Sequence, residues 1–398
     1  MHSSIVNKLF LVFSFFPFVS PYPIGSDIQP LAGVAAAIVV FLHVYREGKI
    51  ERNLLAIITI PFVLLSYNNV FSDSIVFDFG KVVSLMFGSF IIVGFYYSKK
   101  YLTSSLFTAI VSIYFIFTVL LLLFTGPMIE IQNLLIRDTN STDFSYRGVA
   151  TLVTEPGLFG GLIVFFYMIS DYLHENKLMT SRNKRIVGLM LFFMLVMTKS
   201  GTGYLYFIIY ISFKCIFGNY QVIYKFLSVC LLLCILAGAL MLAPSLEESS
   251  LGRGASILIQ LSDPTTLVQT DSSILSRVVD IWLGIISVLS HPFGVGNTAV
   301  IDSAKELMLV TPFVKSFYDA TGKEFGFNSS FAYLTVAYGL IFWAYILYLT
   351  LYFSKSNAVW IFFSMLYLSV SYSAAFPAIW ILLALYTRRD ISNRNIPN

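Results

Sequence analysis

Arg147 and Arg277 lie in segments flanked by long apolar runs. A guanidinium is a planar fork of donors that stays charged and matches phosphate oxygens, so an arginine at the edge of lipid points to a phosphate-bearing ligand. The alternative for each is a structural ion pair, Arg277 with Asp280 one turn on and Arg147 with Glu155 nearby. Glu155 opens an apolar run in Thr154-Glu155-Pro156-Gly157. There Pro156 marks a first helical turn and an acid suits the helix dipole. The same carboxylate at a membrane edge could instead orient or deprotonate a hydroxyl. His291, in His291-Pro292-Phe293-Gly294-Val295-Gly296-Asn297, could act as a second base or a phosphate donor, or could cap and pack. Gly294 and Gly296 permit tight turning or close backbone approach to a ligand. Arg253 joins these as a candidate substrate contact; it and Arg137 sit in polar loop sequence, where a solvated charge is the ordinary explanation.

The positioning element for Arg277 is legible. From Ser273 to His291, the residues Ser273, Arg277, Asp280, Gly284, Ser287 and His291 recur at steps of four and three, and nearly everything between them is apolar. On a helix they form one stripe. That pattern predicts an amphipathic helix over 273–291 lying in the membrane interface, its polar stripe aimed at a cavity. The alternative is a thirteenth, weakly marked span.

The rest of the chain supplies the membrane. It is 57% hydrophobic and 12% charged, against about 25% charged in soluble domains. A run of about 20 apolar residues crosses the hydrocarbon as a helix, because a helix satisfies its own backbone in lipid. Spans are predicted near 5–21, 29–45, 54–70, 75–97, 102–125, 156–173, 186–199, 202–217, 222–243 and 328–353, with two short helices in 358–386 broken near 371–377. That makes twelve in one integral membrane domain, 1–398. The first run resembles a signal peptide, but Pro21-Tyr22-Pro23 follows it in place of a small-residue cleavage site, and it reads as a retained span.

With the N-terminus inside, sixteen of the 25 Lys and Arg residues fall in inside segments. Seven of the others lie in two outside loops, 126–154 and the long 244–327, which concentrates cationic chemistry there. Asp78 and Lys81 have the spacing of a neutralised intramembrane pair, structural or, in a transporter, a coupling site. Cys215, Cys230 and Cys234 fall in or beside apolar runs and read as packing. The 38 Phe and 24 Tyr are explained by interfacial belts and lipid-facing packing. There is no Walker A sequence, no His-Glu-x-x-His, no Cys-x-x-Cys and no Asp-x-Asp, so nucleotide and metal cofactors are not expected, and no basic patch suggests nucleic acid.

Several short pieces in fixed order carry a family resemblance. They are Arg147-Gly148 with Thr154-Glu155-Pro156-Gly157, Lys199-Ser200-Gly201-Thr202-Gly203, Arg277 leading into His291–Asn297, and Phe327-Asn328-Ser329-Ser330-Phe331 with Gly339. Together they resemble the bacterial O-antigen polymerase and O-antigen ligase superfamily, over roughly the C-terminal two-thirds of the chain. The resemblance implies a multispan glycosyltransferase of the GT-C-like type, without a metal. It would act on undecaprenyl-pyrophosphate-linked oligosaccharide at the periplasmic face of the inner membrane, with a chain-length regulator protein as a further partner. It implies that Arg147 and Arg277 contact pyrophosphate, and it adds Asn328 to the candidate substrate contacts. In the ligases the segment matching 327–330 commonly begins with a histidine. Here that residue is Phe327, which favours a polymerase over a ligase. The rival outside the family is a lipid-linked oligosaccharide flippase or other transporter using Asp78 and Lys81.

Overall fold

The structure is a computed structural model that describes residues 2–21, 28–71, 79–137, 148–217, 272–312, 314, 315, 318, 326, 327, 329–353, 358–370 and 373–385. Among these residues helix is the regular secondary structure and no strand occurs. The chain divides into two units.

The first unit, Met1–Ser14, Pro30–Lys99 and Leu267–Asn398, holds all but the last residue of α1 (His2–Phe15). It also holds α2 (Leu31–Glu47), α3 (Arg52–Phe71), α4 (Phe79–Ser98), α10 (Ser272–Ser290), α11 (Val300–Val310), α12 (Ser330–Phe353), α13 (Ala358–Val370) and α14 (Pro377–Ala384). The second unit, Phe15–Gln29 and Lys100–Thr266, holds α5 (Ser104–Leu123), α6 (Thr125–Leu135), α7 (Pro156–Glu175), α8 (Ser181–Met197) and α9 (Gly201–Phe217).

Three described helices, α5, α7 and α12, are long and apolar enough to cross a membrane, and shorter apolar helices accompany them. Their packing is that of a lipid-facing protein. On α2 the small residues Ala32, Gly33, Ala35 and Ala36 are buried while Val34, Ile38, Phe41 and Tyr45 stand 44–79% exposed. Water would select the reverse; lipid is as apolar as these large side chains, so close approach of small residues drives helix association. Gly94 meets Ala36 in this way, and Gly88 lies under the Trp380 indole. In the second unit Phe15, Phe107, Tyr114, Phe159 and Phe166 form a continuous aromatic cluster, with the Tyr114 hydroxyl donating to the Phe15 carbonyl at 3.0 Å. Buried hydroxyls such as Ser14, Thr118 and Ser364 donate back to the carbonyl four residues earlier at 2.8–2.9 Å, which hides them within their own helix.

Most of the helices fall where the apolar runs put them. The first stops at Phe15, short of residue 21, because Pro17 disfavours helix in the residue before it and cannot donate within one. The run 222–243 lies outside the described residues. Helices α6 and α11 fill stretches that the sequence reads as loop. The run 328–353 contains a break: Gly339, at φ 55° and ψ −135°, interrupts α12.

Candidate functional site

Of the residues singled out from the sequence, Asp78, Arg147, Cys230, Cys234, Arg253 and Asn328 lie outside the described residues, as do the Lys81 and Ser273 side chains. The others fall into two groups, one in each unit.

In the second unit, three motif pieces distant in sequence come together. Gly148 has φ 77°, and a Cβ there would fall on the Thr198 carbonyl oxygen, so glycine is the residue that fits. Val149 N–H donates to the Met197 carbonyl at 3.0 Å. Lys199 follows with φ 47°, a left-handed conformation costly for a side-chain-bearing residue, and Thr151 shares it at φ 51°. The Thr198 hydroxyl accepts from Ser200 N–H at 3.2 Å, and the Ser200 hydroxyl accepts from Gly203 N–H at 3.1 Å, capping the start of α9. Against that cap lie Gly157, 3.8 Å from the Ser200 hydroxyl by its would-be Cβ, and Gly160, whose backbone touches Gly203. Glu155 begins α7 beside this junction. It is exposed, and its carboxylate makes no capping bond to the helix it opens. Nearby, the Gln132 amide donates to the Thr151 carbonyl at 2.5 Å, tying α6 to the same turn.

In the first unit, the polar stripe of α10 is buried from Arg277 to Ser287. Arg277 retains 9% of its surface and Asp280, Ser287 none. Asp280 Oδ2 accepts the Ser329 N–H at 3.1 Å, and the Ser329 hydroxyl accepts the Ala332 N–H at 3.2 Å, so α12 begins with two of its open donors satisfied. Gly284 brings α10 against the Ala332 backbone. Tyr318 packs beside Val279 and Leu283, and burial, followed by the Asp280 carboxylate, pushes its phenol well above the ordinary range. Phe327 is buried edge-on against the Tyr333 ring, centroids 6.0 Å apart.

His291 ends α10, exposed, with its N–H on the Ser287 carbonyl at 2.7 Å. Thirteen helical residues lie between it and Arg277, a rise of about 20 Å at roughly 1.5 Å per residue, beyond the combined reach of the two side chains. The structure therefore does not bring these two to one atom.

Gly294 and Gly296 have φ 81° and 79° and are used in docking the loop onto the break in α12. Val295 and Gly296 donate to the Val336 and Ala337 carbonyls at 3.1 and 3.0 Å, and Leu340 N–H donates to the Pro292 carbonyl at 2.7 Å. A Cβ at Gly294 would strike Ala337 oxygen, and one at Gly339 would strike Pro292 oxygen. Asn297 completes the junction, its amide donating to the Tyr338 hydroxyl at 3.2 Å.

Elsewhere in the second unit, Asp171 of α7 accepts from Lys214 and Tyr210 of α9 and pairs with Lys184 of α8 at 2.6 Å. In the sequence both lysines belong only to the count of inside basic residues, and Asp171, Asp280, Gln132 and Lys199 have no independent role. Spacing alone reveals neighbours three or four residues away, and the partners here come from other helices. Among the described residues no three His, Cys, Asp or Glu side chains are grouped as metal ligands. No family model, curated protein or solved structure matches this chain.

Proposed function

We propose that this chain is an O-antigen polymerase, a GT-C-like glycosyltransferase of about twelve spans working at the periplasmic face of the bacterial inner membrane. The observation that carries the reading is the meeting of Gly148, Glu155–Gly160 and Thr198–Gly203 in one junction. These are some of the motif pieces on which the resemblance rests. Two non-glycine residues held in left-handed conformations flank them, and backbone strain of that kind gathers at functional sites.

The donor in this reading is a glycan joined through its anomeric carbon to undecaprenyl pyrophosphate. A hydroxyl at the non-reducing end of a second lipid-linked unit attacks that carbon. The new glycosidic bond forms as the carbon–oxygen bond to pyrophosphate breaks, and the lipid pyrophosphate departs with the electron pair. The family resemblance implies that Arg147 and Arg277 would neutralise the charge it gains, an effect worth about 3 kcal/mol for one preorganised donor. Glu155, exposed and uncommitted to its own helix, takes the hydroxyl proton. His291 is the second candidate for that proton.

One feature favours the transporter alternative: broken spans often expose backbone groups that bind solutes. Here the Val336 and Ala337 carbonyls are already taken by Val295 and Gly296, so the break offers little to an ion.

The test is polymerisation of lipid-linked repeat units by purified protein in detergent. Longer lipid-linked glycans support the polymerase. Transfer to lipid A core would mean a ligase, and movement across a bilayer without new bonds a transporter. Arg277→Ala should abolish long O-antigen ladders in cells while protein levels in the membrane stay unchanged; normal ladders would remove Arg277 from the mechanism.

A further inference from the structure

The contacts of α10 run in step with those of α12. Asp280 meets Ser329, Gly284 meets Ala332, and Pro292 meets Leu340. Both helices therefore point the same way, and the end of α10 reaches the break at Gly339, ten residues into a helix of span length. The chain then climbs back. Leu307 and Val314 pack on Val279 and Leu283, and Tyr318 returns to the level of Asp280.

We propose that α10, the loop 291–299 and α11 form a re-entrant hairpin. It enters the membrane beside α12, turns at the depth of Gly339 and leaves on the side it entered, with α10 facing lipid hydrocarbon and α11 facing water. This replaces a helix lying flat in the interface, and it stands independently of the reaction proposed above.

Two unlike surfaces support it. On α10 the side chains opposite the polar stripe, Val278, Trp282, Ile285 and Leu289, are apolar and 40–80% exposed. On α12 the residues before the break are buried almost without exception, whereas after it Leu340, Trp343, Leu347 and Leu351 stand 42–65% exposed. The α10 stripe thus ends where the α12 stripe begins. Eleven residues of rise in each amount to about 33 Å, close to the roughly 30 Å of the hydrocarbon core. The exposed part of α12 alone covers about half of that. On α11 the exposed residues include Asp302, Lys305 and Glu306 beside Ile301, Leu309 and Val310, and the three charges require water on that side.

Irregular backbone at membrane depth survives only where its polar groups are satisfied within the protein or by water. The hairpin tip meets this condition. Its N–H groups at 295 and 296 fill carbonyls opened by the break, and its Pro292 carbonyl fills the Leu340 N–H. The two interruptions, each unsuited to lipid alone, complete each other.

Nitroxide labels on single cysteines would test this in the full chain, with Cys215, Cys230 and Cys234 replaced by alanine, reconstituted in phosphatidylcholine and phosphatidylglycerol vesicles. The readout is accessibility to oxygen relative to a water-soluble nickel chelate. Labels at Val278→Cys, Ile285→Cys and Leu289→Cys should become progressively deeper, by about 16 Å from first to last. Leu289→Cys should match Leu340→Cys, and Glu306→Cys should remain accessible to nickel. Equal depth for all three α10 labels at the phosphate level would overturn the proposal. So would nickel access along the α10 stripe, or oxygen exclusion there by a second copy of the chain.

Discussion

A fully buried aspartate in an apolar bundle is tolerated only when its oxygens are engaged, since an uncompensated buried charge costs several kcal/mol. Asp280 engages the Ser329 N–H at the opening of α12, where the helix dipole also favours an acid. Asp280→Asn keeps an oxygen for that N–H, whereas Asp280→Ala leaves it buried without a partner, at a cost of about 1–3 kcal/mol. Thermal unfolding in detergent should therefore rank wild type, then Asn, then Ala; equal midpoints for Asn and Ala would show that the Ser329 contact contributes nothing. Asp171 works at larger scale, one carboxylate holding Lys184, Tyr210 and Lys214 from two further helices. The sequence made the Asp280 stripe visible through its three-and-four spacing. It could suggest only Arg277 as partner, because Ser329 lies 49 residues away.

Among elements, the helices were legible from runs of apolar residues and α10 from its periodic polar stripe. What joins them was not. The break in α12 is silent in sequence because 328–353 contains no proline and no charge to mark it, and a lone glycine in a span is more often a packing site. Helices α6 and α11 were missed because each is eleven residues with polar side chains on one side, too short for a span. The junction makes a specific energetic prediction. Gly339→Ala places a side chain at φ 55°, ψ −135° and against the Pro292 carbonyl; Gly294→Ala places one at φ 81° and against Ala337. Strain alone costs about 1–3 kcal/mol in each. Both changes undock the same loop, so the double variant should lose clearly less stability than the sum of the singles. Additive losses in a double-mutant cycle of unfolding midpoints would show that the two glycines act separately.

At the scale of the whole chain, the proposed twelve-span arrangement ties orientation to charge and parity. If the segments richest in Lys and Arg face the cytoplasm, an even number of crossings would put both ends there. A re-entrant hairpin preserves this arrangement, because it returns α12 to the side from which α10 entered. If α10 crossed completely, one crossing would be added and everything from α12 onward would reverse, carrying Lys355, Arg388, Arg389 and Arg394 to the side that positive charge avoids. Reporter fusions after Leu385 separate these cases in living cells. A green fluorescent protein joined there should fluoresce and an alkaline phosphatase should be inactive, since the first folds in the cytoplasm and the second needs the oxidising periplasm. A fusion at Ala299, past the hairpin tip, should give the opposite pair of signals. The reverse result at Leu385 would require an odd number of crossings, and only together with a cytoplasmic signal at Ala299 would it mean a complete passage of α10 through the bilayer.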